Sequence, residues 1–409
     1  MTSVWALAAL WLGLAVVATL LSIWLRVSTA LSEIAVGTIA QVILGLAFGP
    51  AVLGTDEPWV KFLAGIGAIV LTFLAGAELD PRVFKLKWKE AAAVGLASFS
   101  FPFLGCAAAA HYLLGWDVMP SWLAGVVAMS TTSVAVVYAV MLEFGFNVTD
   151  YGKTILAACF ITDLGTVVAL GLIFAPFTAK TAIFLVAGMA AIVIVPWATP
   201  RLFKLYGGRP SEFETKFLLL CLLGMGALAG WAGSEAVLPA YLIGMVLAGT
   251  VGKDHALVRR LRTLTFGLLT PFYFIRAGSF VSIPALIAAP SAFVFFLIVK
   301  VATKIIGVYP VTKLFGAPNK EAMYTTLLMS TGLTFGTISS LFGLSHGIID
   351  KSQYSALVAA VIGSAVIPTV IANAFYLPRH LLPKTEREDM ADQQQAPVTK
   401  LPQLVRRAE

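Results

Sequence analysis

The sequence predicts an all-α polytopic membrane protein, and three observations carry this prediction. Hydrophobic residues make up 59% of the 409 residues and charged residues only 12%, whereas a soluble domain has about 25% charged residues. Apolar stretches with the length of a membrane-spanning helix, roughly 20 residues, recur along the chain. The basic residues fall almost entirely in alternate connecting segments. This composition excludes an ordinary soluble enzyme, a disordered protein and a nucleic-acid-binding domain.

Thirteen apolar stretches qualify as membrane spans, and we number them spans 1 to 13 in chain order. The first has no positively charged segment before it and is long for a signal peptide, so we expect a retained span. The polar residues after the last span, 378–409, are predicted to form a disordered tail. The spans lie near residues 4–25, 34–53, 60–79, 90–114, 119–141, 153–176, 180–200, 215–232, 235–251, 263–280, 284–312, 320–343 and 354–377.

The positions of the Lys and Arg residues test this division into spans. With the N-terminus outside, the outer connecting segments hold only Lys61, Lys180 and Lys351, and the inner segments and the tail hold most of the others. Inner segments of membrane proteins carry this excess of positive charge. A wrong number of spans would scramble the alternation, so the pattern supports thirteen spans and predicts a cytoplasmic C-terminus.

Ionisable side chains within a span are costly and mark candidate functional sites. Asp163 lies in the middle of span 6, in the segment CFITDLG of residues 159–165, and no other carboxylate lies near the middle of a predicted span. Such a group can hold a proton or a small cation, and the two compete. The structural alternative is an aspartate that caps a broken helix or pairs with a lysine.

Lys300 and Lys304 lie one helical turn apart in span 11 and therefore share one face. Lys304 is the stronger functional candidate because Gly307, one turn further, allows close approach of another helix. Either lysine could instead extend its ammonium group to the membrane surface. Arg276, near the outer end of span 10, is expected to have a structural role.

Two spans contain hydroxyl and small residues where the bilayer is driest. Span 5 has AMSTTSV at residues 128–134, and span 12 has LMSTGLTFGT at residues 328–337. Ordinary Ser/Thr helix packing is one explanation. Because the two spans are seven apart, they cross the membrane in opposite directions, and a matched pair of interrupted helices then indicates inverted repeats of a secondary transporter. The predicted interruptions include Thr131, Thr132, Ser133, Thr331, Gly332 and Thr334.

Several segments, in order, resemble the monovalent cation/proton antiporters, in particular their Kef-like branch of bacterial sodium/proton and potassium/proton exchangers. The similarity covers most of residues 30–377. It rests on IAQVILGLAFGP (39–50), FLAGAELD (73–80), STTSV (130–134), the Asp163 segment, PFYF (271–274) and TKIIG (303–307).

This resemblance implies a homodimer whose protomers each contain two parts. A scaffold part would comprise about 1–80 and 215–282, a transport part about 90–176 and 284–377, and a linker helix 180–200. The transport part would hold the two crossed, broken helices and move like an elevator. Asp163 matches the family's acidic site for cation and proton, and Lys304 matches a lysine beside it. Thr132 and Ser133 match the unwound segment near the ion.

The sequence thus predicts a secondary antiporter that exchanges Na⁺, with K⁺ and Li⁺ as the other candidates, for H⁺. Thr162, Thr132 and Ser133 would join Asp163 as ligands, while Lys304 and Lys300 would compensate charge. One carboxylate suggests electroneutral exchange. We expect no enzymatic activity, no cofactor and a location in a bacterial inner membrane. The alternatives are a sodium-coupled organic-anion symporter anchored by Lys300 or Arg276, and a non-transporting channel-type subunit.

Overall fold

The computed structural model describes most of the chain, and all of the regular structure in the described part is helical. The described residues are 4–25, 28–49, 51–77, 81–125, 130–173, 178–233, 237–280, 290–333, 336, 340, 343–344 and 347–382. Three features of the sequence analysis lie outside them: Thr334, the end of the FLAGAELD segment at residues 78–80, and the predicted disordered tail from residue 383 onward.

The first half of the chain forms eight α-helices in the described residues. They are α1 (Val4–Leu25), α2 (Thr29–Phe48), α3 (Pro58–Ala77), α4 (Pro81–Tyr112), α5 (Val118–Leu123), α6 (Val134–Glu143), α7 (Asp150–Ile173) and α8 (Ala179–Tyr206). A 3₁₀ turn, Phe146–Val148, precedes α7.

The second half contributes seven more α-helices to the described part. They are α9 (Phe213–Trp231), α10 (Val237–Leu247), α11 (His255–Leu264), α12 (Thr270–Ser279), α13 (Pro290–Leu314), α14 (Asn319–Leu328) and α15 (Lys351–Ile371). A π turn, Thr265–Leu269, joins α11 to α12, and a second π turn, Ala372–Tyr376, extends α15. A 3₁₀ turn, Arg379–Leu381, follows.

The helices are those of a membrane protein. Eight of them in the described residues are long and apolar enough to cross a bilayer. The outward side of α1 exposes large apolar and aromatic side chains, including Trp5, Val16, Ile23 and Trp24, as expected of a surface that faces lipid. Each of the thirteen predicted spans has a helical counterpart, and spans 5, 10 and 13 each contain more than one element in the described residues. The predicted fold class is therefore confirmed.

Glycines allow one group of helices to pack closely. A side chain at Gly37 on α2 would overlap the Ile275 carbonyl on α12, and one at Gly278 on α12 would overlap the Ile34 carbonyl on α2. In the same way, Gly76 on α3 lies against the backbone of α10. This first group consists of α2, α3, α10 and α12.

A second group forms around α4, which packs against α7 and α13, while α13 also contacts α14 and α15. Gly95 on α4 lies against the Ala158 carbonyl on α7, so this contact is close as well. The interrupted helix α6 contacts α7 and also α2 and α3 of the first group. The predicted division into scaffold and transport parts concerns how such groups move, and it stays a prediction.

Both predicted interruptions are present in the backbone. Residues 131–133 are non-helical, and α6 begins immediately after them at Val134. On the other side, α14 ends at Leu328 and residues 331–333 are again non-helical. Thr131, Thr132, Ser133, Thr331 and Gly332 therefore lie where the sequence predicts a break.

Candidate ion-binding site

The two interrupted segments cross and hold each other directly. The Ser133 amide donates to the Thr331 carbonyl at 3.2 Å, and Thr132 Oγ1 donates to the Met329 carbonyl at 2.8 Å. Backbone groups released from a helix inside a membrane must find such partners, because no bulk water is available there. Residues with short side chains permit this approach, and this explains why both breaks are rich in Ser, Thr and Gly.

Helix ends of opposite polarity meet at the crossing. Ser133 caps the N-terminus of α6, where its Oγ accepts from the Val136 amide at 3.4 Å. The C-terminus of α14 at Leu328 points to the same region, and Thr331 Oγ1 donates back to the Leu328 carbonyl at 2.8 Å. A helix N-terminus carries partial positive charge and a C-terminus partial negative charge. The crossing therefore offers both signs of partial charge to a mobile ion.

Lys304 extends from α13 into the crossing and is fully buried. Its Nζ donates to Ser98 Oγ at 2.6 Å, to the Ser130 carbonyl at 3.1 Å and to Thr132 Oγ1 at 3.1 Å. An ammonium group has three donors, so these three oxygens satisfy it completely. The ammonium does not extend to a membrane surface, which removes that alternative for this residue.

Asp163 on α7 is 4% exposed, and its Oδ1 has no hydrogen-bond partner. It forms no ion pair within 4.0 Å among the described residues, although it interacts electrostatically with Lys304. One turn earlier on α7, Cys159 Sγ lies 3.5 Å from Met329 Sδ, and this contact brings α7 to the crossing. A buried carboxylate oxygen without a partner is costly and is available to a ligand.

Thr162 is also buried, but its hydroxyl lies against α4. Its Oγ1 is 3.1 Å from the Gly95 carbonyl and 3.0 Å from the Ala158 carbonyl, to which it donates. In this conformation the hydroxyl joins α7 to α4 and is not brought to Lys304 and Thr132. Its predicted role as an ion ligand stays a prediction.

Lys300 lies on the other side of the crossing and is fully buried as well. Its Nζ donates to Ser364 Oγ on α15 at 2.9 Å. A Cβ at Gly332 would overlap Lys300 Nζ and would lie 3.0 Å from Thr131 Oγ1. Gly332 therefore makes room for the ammonium group, and Lys300 does not extend to the membrane surface either.

Arg276 occupies a structural position at the end of α12. Its Nε donates to the Thr55 carbonyl at 2.8 Å, and its guanidinium carbon lies 4.7 Å from the centre of the Phe280 ring. Both side chains that could anchor an organic anion thus already have partners, Arg276 at Thr55 and Phe280 and Lys300 at Ser364.

The sequence does not identify Ser98 and Ser364, the hydroxyl partners of the two buried lysines. Both are fully buried in apolar helices. Their only signal in the sequence is a small polar residue within a span, and many such residues merely bond to their own helix. The contact with a lysine on another helix distinguishes these two.

A family model described as "Sodium/hydrogen exchanger, transmembrane" matches residues 10–375 of the chain. Cation/H(+) antiporter 17 of Arabidopsis thaliana is 26% identical over 380 residues, which cover 85% of this chain and 46% of that protein. The chain thus spans about half the length of this plant relative. The probable Na(+)/H(+) antiporter 3 of Methanocaldococcus jannaschii is 26% identical over 348 residues, which cover 82% of this chain and 89% of that protein.

Among solved structures, the sodium proton antiporter MjNhaP1 from Methanocaldococcus jannaschii at pH 8 has a TM-score of 0.66 with this chain. The match covers 92% of this chain and 97% of that chain, with 14% sequence identity. At this identity the match shows a shared fold. The relatives are named as antiporters and not as enzymes, which confirms the prediction that the chain is not an enzyme.

Proposed function

Because the chain belongs to the sodium/hydrogen exchanger family, whose model matches residues 10–375, we propose that it exchanges Na⁺ for H⁺ across a membrane. The observation that carries this proposal is Asp163, a buried carboxylate with an unpartnered oxygen that interacts electrostatically with Lys304 at the two crossed, interrupted helices. The archaeal relative is named as a probable Na(+)/H(+) antiporter, and this name favours sodium as the cation.

Asp163 holds a proton and a sodium ion in turn. When Na⁺ arrives from one side, the carboxylic proton leaves to water on that side, and the carboxylate binds the ion. The Ser130 carbonyl and the Thr132 hydroxyl lie at the crossing as further oxygen ligands, and Ser133 and Thr162 complete the proposed set. Hard oxygen ligands of this kind suit an alkali cation.

Lys304 takes the place of the cation when the site is empty of Na⁺. Its ammonium group occupies the same Ser130 and Thr132 oxygens that would otherwise face the ion. When Na⁺ binds, the ammonium withdraws from these oxygens; when Na⁺ leaves, it returns and compensates their partial negative charge. Lys300 has the corresponding role next to Gly332, where it compensates the carbonyl ends of the second interrupted segment.

The protein is an integral membrane protein, and we place its N-terminus outside and its C-terminus in the cytoplasm of a bacterial plasma membrane. A scaffold part containing α1–α3 and α9–α12 carries the contact of a homodimer. A transport part containing α4–α7 and α13–α15 moves against it like an elevator, with α8 as the linker. The close glycine contacts within the first group of helices support a rigid scaffold. The Kef-like branch within the family rests on the sequence segments described above.

Exchange is electroneutral in this proposal, because one carboxylate carries either one proton or one monovalent ion. No cofactor takes part. A transport current that scales with membrane voltage would contradict electroneutral exchange. K⁺ and Li⁺ are the alternative cations, and the experiment below separates them from Na⁺.

The test uses the purified full-length protein in proteoliposomes that contain a pH-sensitive dye. A pH gradient is imposed, and Na⁺, Li⁺, K⁺ or choline is added in turn. We expect Na⁺ to dissipate the gradient with wild-type protein and with D117N, in which an exposed loop aspartate is changed, but not with D163N. Equal responses of wild type and D163N to every cation would contradict the proposal and would make uptake of a radiolabelled organic anion the next test.

A further inference from the structure

A cavity with two glutamates in its wall, and without Asp163, lies where α1 and the start of α2 meet α6, α11 and α12. Its volume is about 780 Å³, and most of its wall is apolar. Three side chains that line it are charged: Glu33 on α2, Glu143 on α6 and Arg262 on α11. The described lining residues from α1 and α12 are not ionisable, so these three are the charged groups in the described part of the wall.

Glu33 is the unusual member of this set. It lies in the second turn of α2 and is only 3% exposed. No hydrogen bond or ion pair joins its carboxylate to any other described residue, and it lines the cavity. Burial of a carboxylate without a partner is expensive. A ligand that reaches the cavity would remove this cost.

Glu143, the last residue of α6, also lines this cavity. Its Oε2 accepts from the Thr29 amide at 3.0 Å, and its Oε1 accepts from Ser22 Oγ at 3.4 Å. The Thr29 amide belongs to the first turn of α2, where the helix dipole stabilises negative charge. Burial raises the pKa of Glu143, the contacts with Thr29 and Ser22 oppose part of that rise, and the ionised form of Glu143 repels negative charge on Glu33.

We propose that Glu33 and Glu143 form a second binding site for one monovalent cation, either an alkali ion or a proton. Two ionised carboxylates in the wall of one mostly apolar cavity repel each other, and a positive ion between them removes this repulsion. Among the described lining residues, Glu33, Glu143 and Arg262 carry a formal net charge of −1, which one monovalent cation neutralises.

The two carboxylates come from helices that belong to different parts of the proposed transporter. Glu33 is on α2, which packs against α12, and Glu143 ends the interrupted helix α6. Movement of α6 relative to α2 would separate the pair and break the Glu143 contacts with Ser22 and Thr29. The site therefore binds its cation in the conformation described here and loses it when α6 moves.

The test measures binding to this cavity in the full-length D163N protein in lipid, so that it does not depend on transport through Asp163. Infrared difference spectra recorded over a pH series report protonated carboxyl groups, and ¹³C-labelled glutamate identifies the bands of glutamate. We expect a glutamate band that disappears in D163N/E33Q and whose midpoint moves by about one pH unit or more in D163N/E143Q. The control D163N/E57Q, which changes an exposed loop glutamate, should keep the band unchanged.

A second set of infrared spectra is recorded while Na⁺ replaces choline at constant pH. Loss of the band on addition of Na⁺ identifies an alkali ion that competes with the proton, and a band that responds to pH alone identifies a proton site. If E33Q does not fold, E143Q tests the same pair. A D163N protein without a titrating glutamate band, or with a band that survives both E33Q and E143Q, would overturn the proposal. Because D163N is used throughout, the result can be interpreted even if the proposed transport function is wrong.

Discussion

Residues at the crossing of the interrupted helices show how a mobile cation and a fixed ammonium group can use the same oxygens. Lys304 donates to the Ser130 carbonyl, to Thr132 Oγ1 and to Ser98 Oγ, while Asp163 beside it keeps an unpartnered oxygen. A sodium ion needs oxygen ligands of the same kinds. In the proposed mechanism the lysine and the ion therefore compete for these oxygens, and this competition can be tested one side chain at a time.

Replacing Thr132 by Val tests its hydroxyl as an ion ligand. T132V removes an oxygen that accepts from Lys304 and donates to the Met329 carbonyl, with little change in shape. We expect the KM for Na⁺ in proteoliposomes to rise about tenfold, which corresponds to about 1.4 kcal/mol for one lost polar contact. T132S keeps the hydroxyl and serves as the control. A T132V protein with the wild-type KM would show that Thr132 does not contact the ion.

Replacing the two buried lysines by Met separates their roles. K304M removes three hydrogen bonds from buried oxygens, whereas K300M removes one, to Ser364 Oγ. A hydrogen bond to a charged group contributes about 1.5–3 kcal/mol, so K304M should lower the thermal unfolding temperature more than K300M. Thermal unfolding monitored by intrinsic fluorescence in detergent measures both. Equal shifts for the two variants would contradict the three-oxygen site around Lys304.

At the scale of the helices, glycines at the α2–α12 contact set the distance between two spans. A Cβ at Gly37 would overlap the Ile275 backbone carbonyl, and a backbone group cannot move aside as a flexible side chain can. We expect G37A to lose about 1–3 kcal/mol of stability, as is typical of overpacking. G13A on α1, where no atom lies within 4 Å of the added methyl group, is the control. Similar unfolding temperatures for G37A and wild type would mean that α2 and α12 can separate at little cost.

Much of the helical arrangement can be predicted from the sequence, because the bilayer requires long apolar helices and penalises every charge inside them. The same rule identifies Asp163, Lys300 and Lys304, and the runs of Ser, Thr and Gly identify both breaks. The sequence does not show which hydroxyl on another helix accepts from each lysine, so Ser98 and Ser364 cannot be identified from it as the lysine partners. Glu33 cannot be identified either, because it precedes the apolar core of its span and is buried only once other helices pack around α2.

At the scale of the whole molecule, the contact between Glu143 and the start of α2 joins helices that the proposed elevator would separate. We expect a short thiol-reactive cross-link between T29C and E143C to stop exchange, in a background with Cys221 replaced by Ser. Cys106 and Cys159 are buried and can remain. A cleavable reagent allows release of the link, which should restore transport. Full exchange in the linked protein would show that α6 and α2 do not move apart.

The central claim is that energy stored in a proton gradient moves sodium through the Asp163 site. The most direct test is uptake of ²²Na⁺ into proteoliposomes with an outward proton gradient and equal Na⁺ concentrations on both sides. Wild-type protein should accumulate ²²Na⁺ above its equilibrium level while the proton gradient lasts, and D163N should not exceed equilibrium. Accumulation by D163N equal to that of wild type, or wild-type uptake that never exceeds equilibrium, would contradict the account.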